Sequence, residues 1–493
     1  MDALQQIIRT MTPPEKRYFK LFANAFHQDS DLTRLYAMLD TDKEIEDGAI
    51  TKKTGIKNLP VSRSNLRKLI LKAMRSYNET SQQLQLRNII TDMEWLEGKG
   101  LTDEALKEMR RAHKFGVEHE VYGDFANLML MQRRSLDTKD PDQFTQEYEK
   151  LIADTEKYAS LAADYATSML FNSYVVKYTN IVGSYEAANV LHRKQQLLIK
   201  AQERLSKTKT IRGRLLLLIT VQGILSAMGR YEECFKTFKQ IFAIYDETPY
   251  VKENPIMLYM LILNSYCNLC DFTARHAEHE KGLESFITGF EELGIPRLDK
   301  AAQLKMRGVI LFQRTSFARR TGNTRFLNGI DDELMDVVNH QGMGNLPEAV
   351  NSAILHYIGY NLQTLNLVAA GEWLTRFYNF KHSKLSRSMY LAARLLEVIM
   401  FYEQKDFDIA DTKAINLYKT IMEFPDEMQG EHQKVIGVFL RRLCQWQPGN
   451  KTHKTEMQKW IDDVAEHTGK RDAFLKEVFA FFDITGWLKK KFL

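Results

Sequence analysis

The sequence predicts an all-α protein, and three observations carry that prediction. Glycine and proline together supply only 35 of 493 residues, so the chain has few of the residues that make turns and break helices. Apolar residues recur at helical spacing nearly throughout, with no convincing run of period-two alternation. The ten prolines (Pro13, Pro14, Pro60, Pro141, Pro249, Pro255, Pro296, Pro347, Pro425 and Pro448) fall where helices should begin or end, the positions at which a missing N–H is tolerated. A β-sandwich, a β-barrel, a collagen-like chain and a Gly/Ser-rich disordered chain are excluded, and 11% aromatic residues supply surface for a core.

Charge divides the chain into residues 1–82 and 83–493. Residues 1–82 hold 14 Lys/Arg against 10 Asp/Glu, and the remainder hold 54 against 53, so almost all of the net +5 lies at the N-terminal end. The first segment reads as a basic helical module with helices over Leu32 to Leu39, Ala49 to Gly55 and Val61 to Tyr77. From Gly48 to Asn78 stand Lys52, Lys53, Lys57, Arg63, Arg67, Lys68, Lys72 and Arg75, with no acid among them. At 100° per residue, Leu66, Leu69, Ile70, Ala73 and Tyr77 gather on a core face, and Arg67, Lys68, Lys72 and Arg75 lie opposite.

Three uses fit such a face. The cations contact phosphates of a nucleic acid, or meet an acidic protein partner, or are merely solvated and pair with Asp40, Asp42, Glu44, Glu46 and Asp47 upstream. Ala49 to Gly55 followed by Ser62 to Lys68 resembles a helix-turn-helix reader, in which Ser62, Arg63, Ser64 or Asn65 would reach base edges. The turn from Gly55 to Val61 reads as longer than the three or four residues of that motif, which argues against base-specific reading.

After residue 82 a pattern recurs: glycine at a tight turn, a large ring two positions on, and a small residue three further, where a second helix crosses the first. Gly183-Ser-Tyr185-Glu-Ala-Ala188 and Gly229-Arg-Tyr231-Glu-Glu-Cys234 are the clearest copies. Lys405-Asp-Phe407-Asp-Ile-Ala410 replaces the glycine, Gly371-Glu-Trp373 and Gly100 with Ala105 keep part, and Cys270-Asp-Phe272 is weaker. These residues resemble the tetratricopeptide-repeat (TPR) family, specifically divergent bacterial members of unassigned role, over residues 84–485. The resemblance implies an α-solenoid of antiparallel helix pairs. It also implies a non-enzymatic scaffold whose concave face, lined by the first helix of each pair, receives a protein or peptide. The glycine-equivalent positions are spaced 83, 46, 41, 101 and 34 residues apart, which predicts helices longer than the family's or repeats that have drifted, with Gly322 marking one. The aromatic stretch Ala473 to Phe482 with Trp487 reads as the cap of the stack.

Chemistry-bearing groups are sparse. Cys267, Cys270, His276 and His279 form one weak candidate for zinc, but a helix pair would place them on opposite sides of a turn. No phosphate-binding glycine loop, dinucleotide fingerprint, H-E-x-x-H or G-x-S-x-G occurs, and Asp331-Asp332 and Asp462-Asp463 point about 100° apart on a helix. The expectation is therefore no enzyme activity, no metal and no cofactor. Four cysteines, no signal-like N-terminus and no apolar run of spanning length predict a soluble cytoplasmic protein without membrane contact. A protein-binding scaffold is the leading expectation. The alternative is a nucleic-acid-associated regulator that docks through residues 48–78 and senses a partner with its repeats.

Overall fold

The computed structural model describes residues 3–27, 30–41, 45–77, 82–133, 140–182, 188–340, 348–380, 385–422, 458–459, 461–462 and 479–492. Every regular element among these residues is helical, and no strand occurs. No helix among them is long and apolar enough to cross a membrane. The chain separates into two compact units, Met1–Phe171 with Arg204–Leu216 and Asn172–Glu203 with Leu217–Leu493.

In the first unit, the helices Ala3–Thr10, Pro13–His27, Asp31–Leu39, Asp47–Thr54 and Leu59–Tyr77 close around Ile8, Phe19, Leu35, Ile50, Leu66 and Ile70, all fully buried. Pro13–His27 begins with a reciprocal capping box. The Thr12 N–H donates to Glu15 Oε2 at 2.7 Å, and the Glu15 N–H reaches back to Thr12 Oγ1 at 3.4 Å. A separate core joins Gln82–Gly98, Thr102–Glu118 and Phe125–Gln132 to the long helix Pro141–Val182 through Leu86, Ala112, Phe125, Leu128 and Tyr158. Gly116 is required there, because a Cβ on it would lie 2.1 Å from the Phe125 ring. The start of Ile211–Ala227 is closed by acids from elsewhere in this unit. Glu120 accepts from the N–H groups of Ile211 and Arg212, both at 2.9 Å, and Asp164 accepts from the Thr210 N–H at 3.0 Å.

The second unit is built of sequential helix pairs. Ile256–Phe272 packs on His276–Gly289, Lys300–Thr321 on Ile330–His340, Glu348–Gln363 on Leu367–Asn379, and Arg387–Glu403 on Phe407–Met422. The four first helices also pack on one another in chain order, and each second helix touches the next first helix. A π-helical turn, Phe290–Gly294, continues His276–Gly289 into the single turn Ile295–Arg297. Pro296 is the next-to-last residue of this helical run, which ends at Arg297, as expected of a proline at a helix end; the wider turn before it accommodates a ring that clashes with an ordinary α-turn.

The turns share one geometry. Gly100, Gly229, Ala274, Leu365 and Lys405 have φ of 75°, 71°, 55°, 60° and 64°. In four of the five, the next residue (Leu101, Arg230, Arg275, Asn366) has φ of −88° to −82° and ψ of 61° to 73°. The N–H of that next residue, and of Asp406 in the fifth turn, donates to a carbonyl five residues back, the wide bond of a Schellman-type helix end. Five residues after the left-handed one comes Ala105, Cys234, His279, Ala370 or Ala410, buried in every case.

Two copies of the sequence pattern are therefore in the wrong register. Gly371 and Trp373 lie inside Leu367–Asn379, and the turn is at Leu365. Cys270 and Phe272 lie inside Ile256–Phe272, and the turn is at Ala274. Gly183 and Tyr185 fall outside the described residues; Ala188 begins the helix Ala188–Lys207. Gly229, Tyr231 and Cys234, and Phe407 and Ala410, occupy the positions read for them. With Gly322, φ 72°, closing Lys300–Thr321, the left-handed residues that follow first helices of the second unit stand at 229, 274, 322, 365 and 405, steps of 40 to 48 residues; Gly329, φ 70°, is a further one, placed just before Ile330–His340.

The aromatic C-terminal stretch is described from Phe479 onward. Phe481, Phe482, Ile484, Trp487 and Leu488 join the core formed by Glu348–Gln363 and Arg387–Glu403, two first helices, instead of sealing only the last pair. The Phe481 carbonyl lies so close to Gly359 that a Cβ there would be 1.8 Å from it. Trp487 Nε1 donates to Glu403 Oε1, and Lys491 Nζ pairs with Glu403 Oε2 at 2.8 Å.

Candidate functional site

The N-terminal basic surface is assembled by three helices on one core. Asp31–Leu39 packs on both Asp47–Thr54 and Leu59–Tyr77. Asp47–Thr54 ends at Gly55, whose φ of 72° is the left-handed conformation glycine adopts without strain. Ile56 is buried beneath the turn, and Asn58 starts the next helix by accepting from the Val61 N–H through Oδ1 at 3.3 Å. The turn is Gly55–Asn58, four residues, because the helix begins at Leu59 and Pro60 occupies its second position without breaking it. This corrects the longer turn expected from the sequence and brings the segment within the length of a helix-turn-helix.

Side chains hold this geometry. Arg34 Nη1 donates to the Thr54 carbonyl at 3.4 Å, and Arg63 pairs with Asp47 across the turn. Arg63 is half-buried, so this cation of the predicted eight serves the turn's structure. Asp40 is engaged by Lys16 at 2.7 Å and Lys20 at 3.1 Å, not by the cluster. Burial works to raise its carboxyl, and the two ammonium groups outweigh it and hold the acid below its ordinary value. Asp42 and Glu44 lie outside the described residues.

Lys52, Lys53, Lys57, Arg67, Lys68, Lys72 and Arg75 are all exposed. Among the described residues, Lys52, Lys53, Lys57, Arg67, Lys68 and Arg75 have no carboxylate within ion-pair distance. Lys52 and Lys53 also complement the carbonyl end of their own helix. On Leu59–Tyr77, Leu66, Leu69, Ile70 and Ala73 are buried as the wheel predicts, but Tyr77 is exposed and lies 5.1 Å from the Tyr18 ring. Val61, Ser64, Asn65, Lys68, Leu71, Lys72 and Arg75 share the opposite 120° of the wheel, and all are exposed. Ser62 is half-buried. The exposed Val61 and Leu71 were missed in the sequence because apolar residues in a helix are first assigned to its core; the wheel angle was the signal that separates them.

A second polar group joins adjacent first helices. Gln313 is buried, and its Nε2 donates to Asn264 Oδ1 at 2.7 Å and Asn268 Oδ1 at 2.6 Å. Its Oε1 faces His279 Nε2 at 3.2 Å, so that nitrogen carries the proton. Burial holds His279 below its ordinary pKa, against the pull of Asp271. Beside this group, Leu261, Asn264, Ser265 and Asn268 form one helix face that is at least partly exposed.

The weak zinc candidate does not assemble. Cys267 and Cys270 are buried in Ile256–Phe272, His276 is exposed, and His279 is engaged by Gln313 and edge-on to Phe317. Among the described residues no three His, Cys, Asp or Glu side chains gather to hold a metal. Burial pushes both thiols upward, Cys270 to about 11, which disfavours the thiolate a metal needs. Asp331 has a structural use: it accepts from Trp373 Nε1 at 2.6 Å and Tyr357 OH at 2.8 Å.

No protein-family model matches the chain, and no curated protein sequence matches it.

Proposed function

We propose that the protein is a non-enzymatic, TPR-like binding scaffold that holds a protein or peptide partner on its first helices. The supporting observation is the series of helix pairs in the second unit, whose first helices pack in chain order and end in left-handed residues at near-regular steps. A helix pair cannot bury its apolar face alone, so stacked pairs offer an extended surface in place of one enclosed site. The C-terminal segment already covers Glu348–Gln363, leaving the face of Leu261, Asn264, Ser265 and Asn268 as the place for a partner.

Affinity purification of the full-length chain from its own cells, with and without nuclease, tests this reading. A partner retained after nuclease and lost with Leu261→Glu/Asn268→Asp supports it. Equal recovery with wild type and variant, or recovery that disappears with nuclease, overturns it.

A further inference from the structure

We infer that Leu59–Tyr77 is a recognition helix for double-stranded DNA, an activity independent of the partner-binding reading. The helix stands on a four-residue turn with glycine at its left-handed position, and it packs its apolar side on Asp31–Leu39. That leaves a single continuous outer face. Of the described acids upstream, Asp47 is engaged by Arg63 and Asp40 by Lys16 and Lys20, while Glu46 stands exposed at the start of Asp47–Thr54. On these two helices and their turn, the exposed Lys52, Lys53, Lys57, Arg67, Lys68 and Arg75 outnumber the exposed acids Glu46 and Asp47 among the described residues, and this positive excess is the charge complement of a phosphate backbone.

The composition of the face selects among polyanions. A helix fits the major groove of B-form DNA, about 12 Å wide, whereas the major groove of A-form RNA is too narrow to admit one. Single strands are held by rows of aromatic side chains, and Val61, Ser64, Asn65, Lys68, Leu71, Lys72 and Arg75 on this face include none. The N-terminal half presents Val61, Ser64, Asn65 and Lys68, and it is that half of a recognition helix that meets base edges. Asn65 matches the adenine N6/N7 edge and Val61 the thymine methyl, so an A·T pair is preferred beneath them. Arg67 and Arg75 on the same helix, with Lys52, Lys53 and Lys57 before it, supply phosphate contacts that set orientation without reading sequence.

The test uses the full-length protein and a fluorescent pool of 30-bp DNA duplexes with a randomised centre, titrated at several salt concentrations. The expected result is binding that weakens steeply with salt, and selection of sequences containing a fixed A·T pair. Lys52→Gln/Lys53→Gln/Arg67→Gln/Arg75→Gln should weaken binding to every duplex and flatten the salt dependence by about 0.9 log units per cation removed. Asn65→Ala should leave the salt slope intact and reduce discrimination at one position by roughly tenfold. These side chains are exposed, and unchanged circular dichroism melting confirms that each variant folds. Absence of binding at low salt, equal binding of duplex RNA or single strands, displacement by poly-glutamate as effectively as by DNA, or variants that behave as wild type would each overturn the inference.

Discussion

Asp47 and Arg63 pair across the turn between Asp47–Thr54 and Leu59–Tyr77, tying the first turn of one helix to the second turn of the next. The pair fixes an angle more than it stabilises the fold, since the Asp47 side chain is 73% exposed and an exposed pair contributes at most about 1 kcal/mol. Arg63→Gln should therefore change the melting midpoint little while speeding amide exchange at Gly55 to Asn58. A large loss of stability without local change in exchange would contradict this.

The left-handed turns give a prediction of opposite signs at equivalent positions. Gly229 adopts its φ of 71° freely, whereas Lys405 holds 64° with a side chain attached. Gly229→Ala should destabilise by about 1 kcal/mol, and Lys405→Gly should be neutral or stabilise by up to about 1 kcal/mol, in urea unfolding.

Trp373 and Tyr357 both donate to Asp331, and Trp373 is buried. Trp373→Phe should cost about 1–3 kcal/mol through the lost indole bond and the smaller ring. Because both donors share one carboxylate, the double variant with Tyr357→Phe should depart from additivity by at least about 0.5 kcal/mol. Simple addition of the two effects would show that the shared acceptor does not couple them.

His356 is buried, and Arg319 Nε donates to its Nδ1 at 3.0 Å. Burial, reinforced by Arg319 and Arg320, holds its folded pKa well below the ordinary histidine value, and burial also lowers His279. The unfolded chain takes up protons near pH 6.5 while the folded one resists, so this part of stability is present above that pH and is lost as pH falls. The loss approaches about 1.4 kcal/mol per pH unit for each fully neutral histidine. Urea midpoints at pH 7.5 and 5.5 should reveal it, and His356→Gln, which keeps an acceptor for Arg319, should reduce the slope. An unchanged slope in that variant would assign the pH dependence elsewhere.

Gly359 faces the Phe481 backbone at a distance that admits no Cβ. Gly359→Ala should displace the segment around Phe481 and increase cleavage by a protease near residues 479–492. If cleavage and melting match wild type, the segment is not held as described.

Helices and their apolar faces were legible from the sequence because burial imposes the helical period directly, as Leu66, Ile70 and Ala73 show. Turn register was only partly legible. Ala274 and Leu365 occupy left-handed positions without being glycine, so a search for glycine settled on Gly371, which stands six residues farther on inside a helix. The better signal was the small residue five positions after the turn, kept at Ala105, Cys234, Ala370 and Ala410 and replaced only by His279, whose ring finds Gln313. On the basic surface, the charges were plain and Pro60 reads as a helix end, but the sequence places the helix start at Val61, whereas Leu59 and Pro60 already form its first turn. The withdrawal of Arg63 depends on which acid lies across the turn, which no local pattern specifies.

The placement of Phe481, Phe482, Trp487 and Leu488 against Glu348–Gln363 also orders events in time. A ribosome must add more than 110 further residues after Gln363 before those rings emerge, and domains form as units from the N-terminal side during synthesis. Glu348–Gln363 and Arg387–Glu403 therefore wait with a bare apolar flank during that interval. Stalled translation or clipping ahead of residue 479 would leave the flank permanently uncovered, exposing the nascent chain to chaperone capture or self-association.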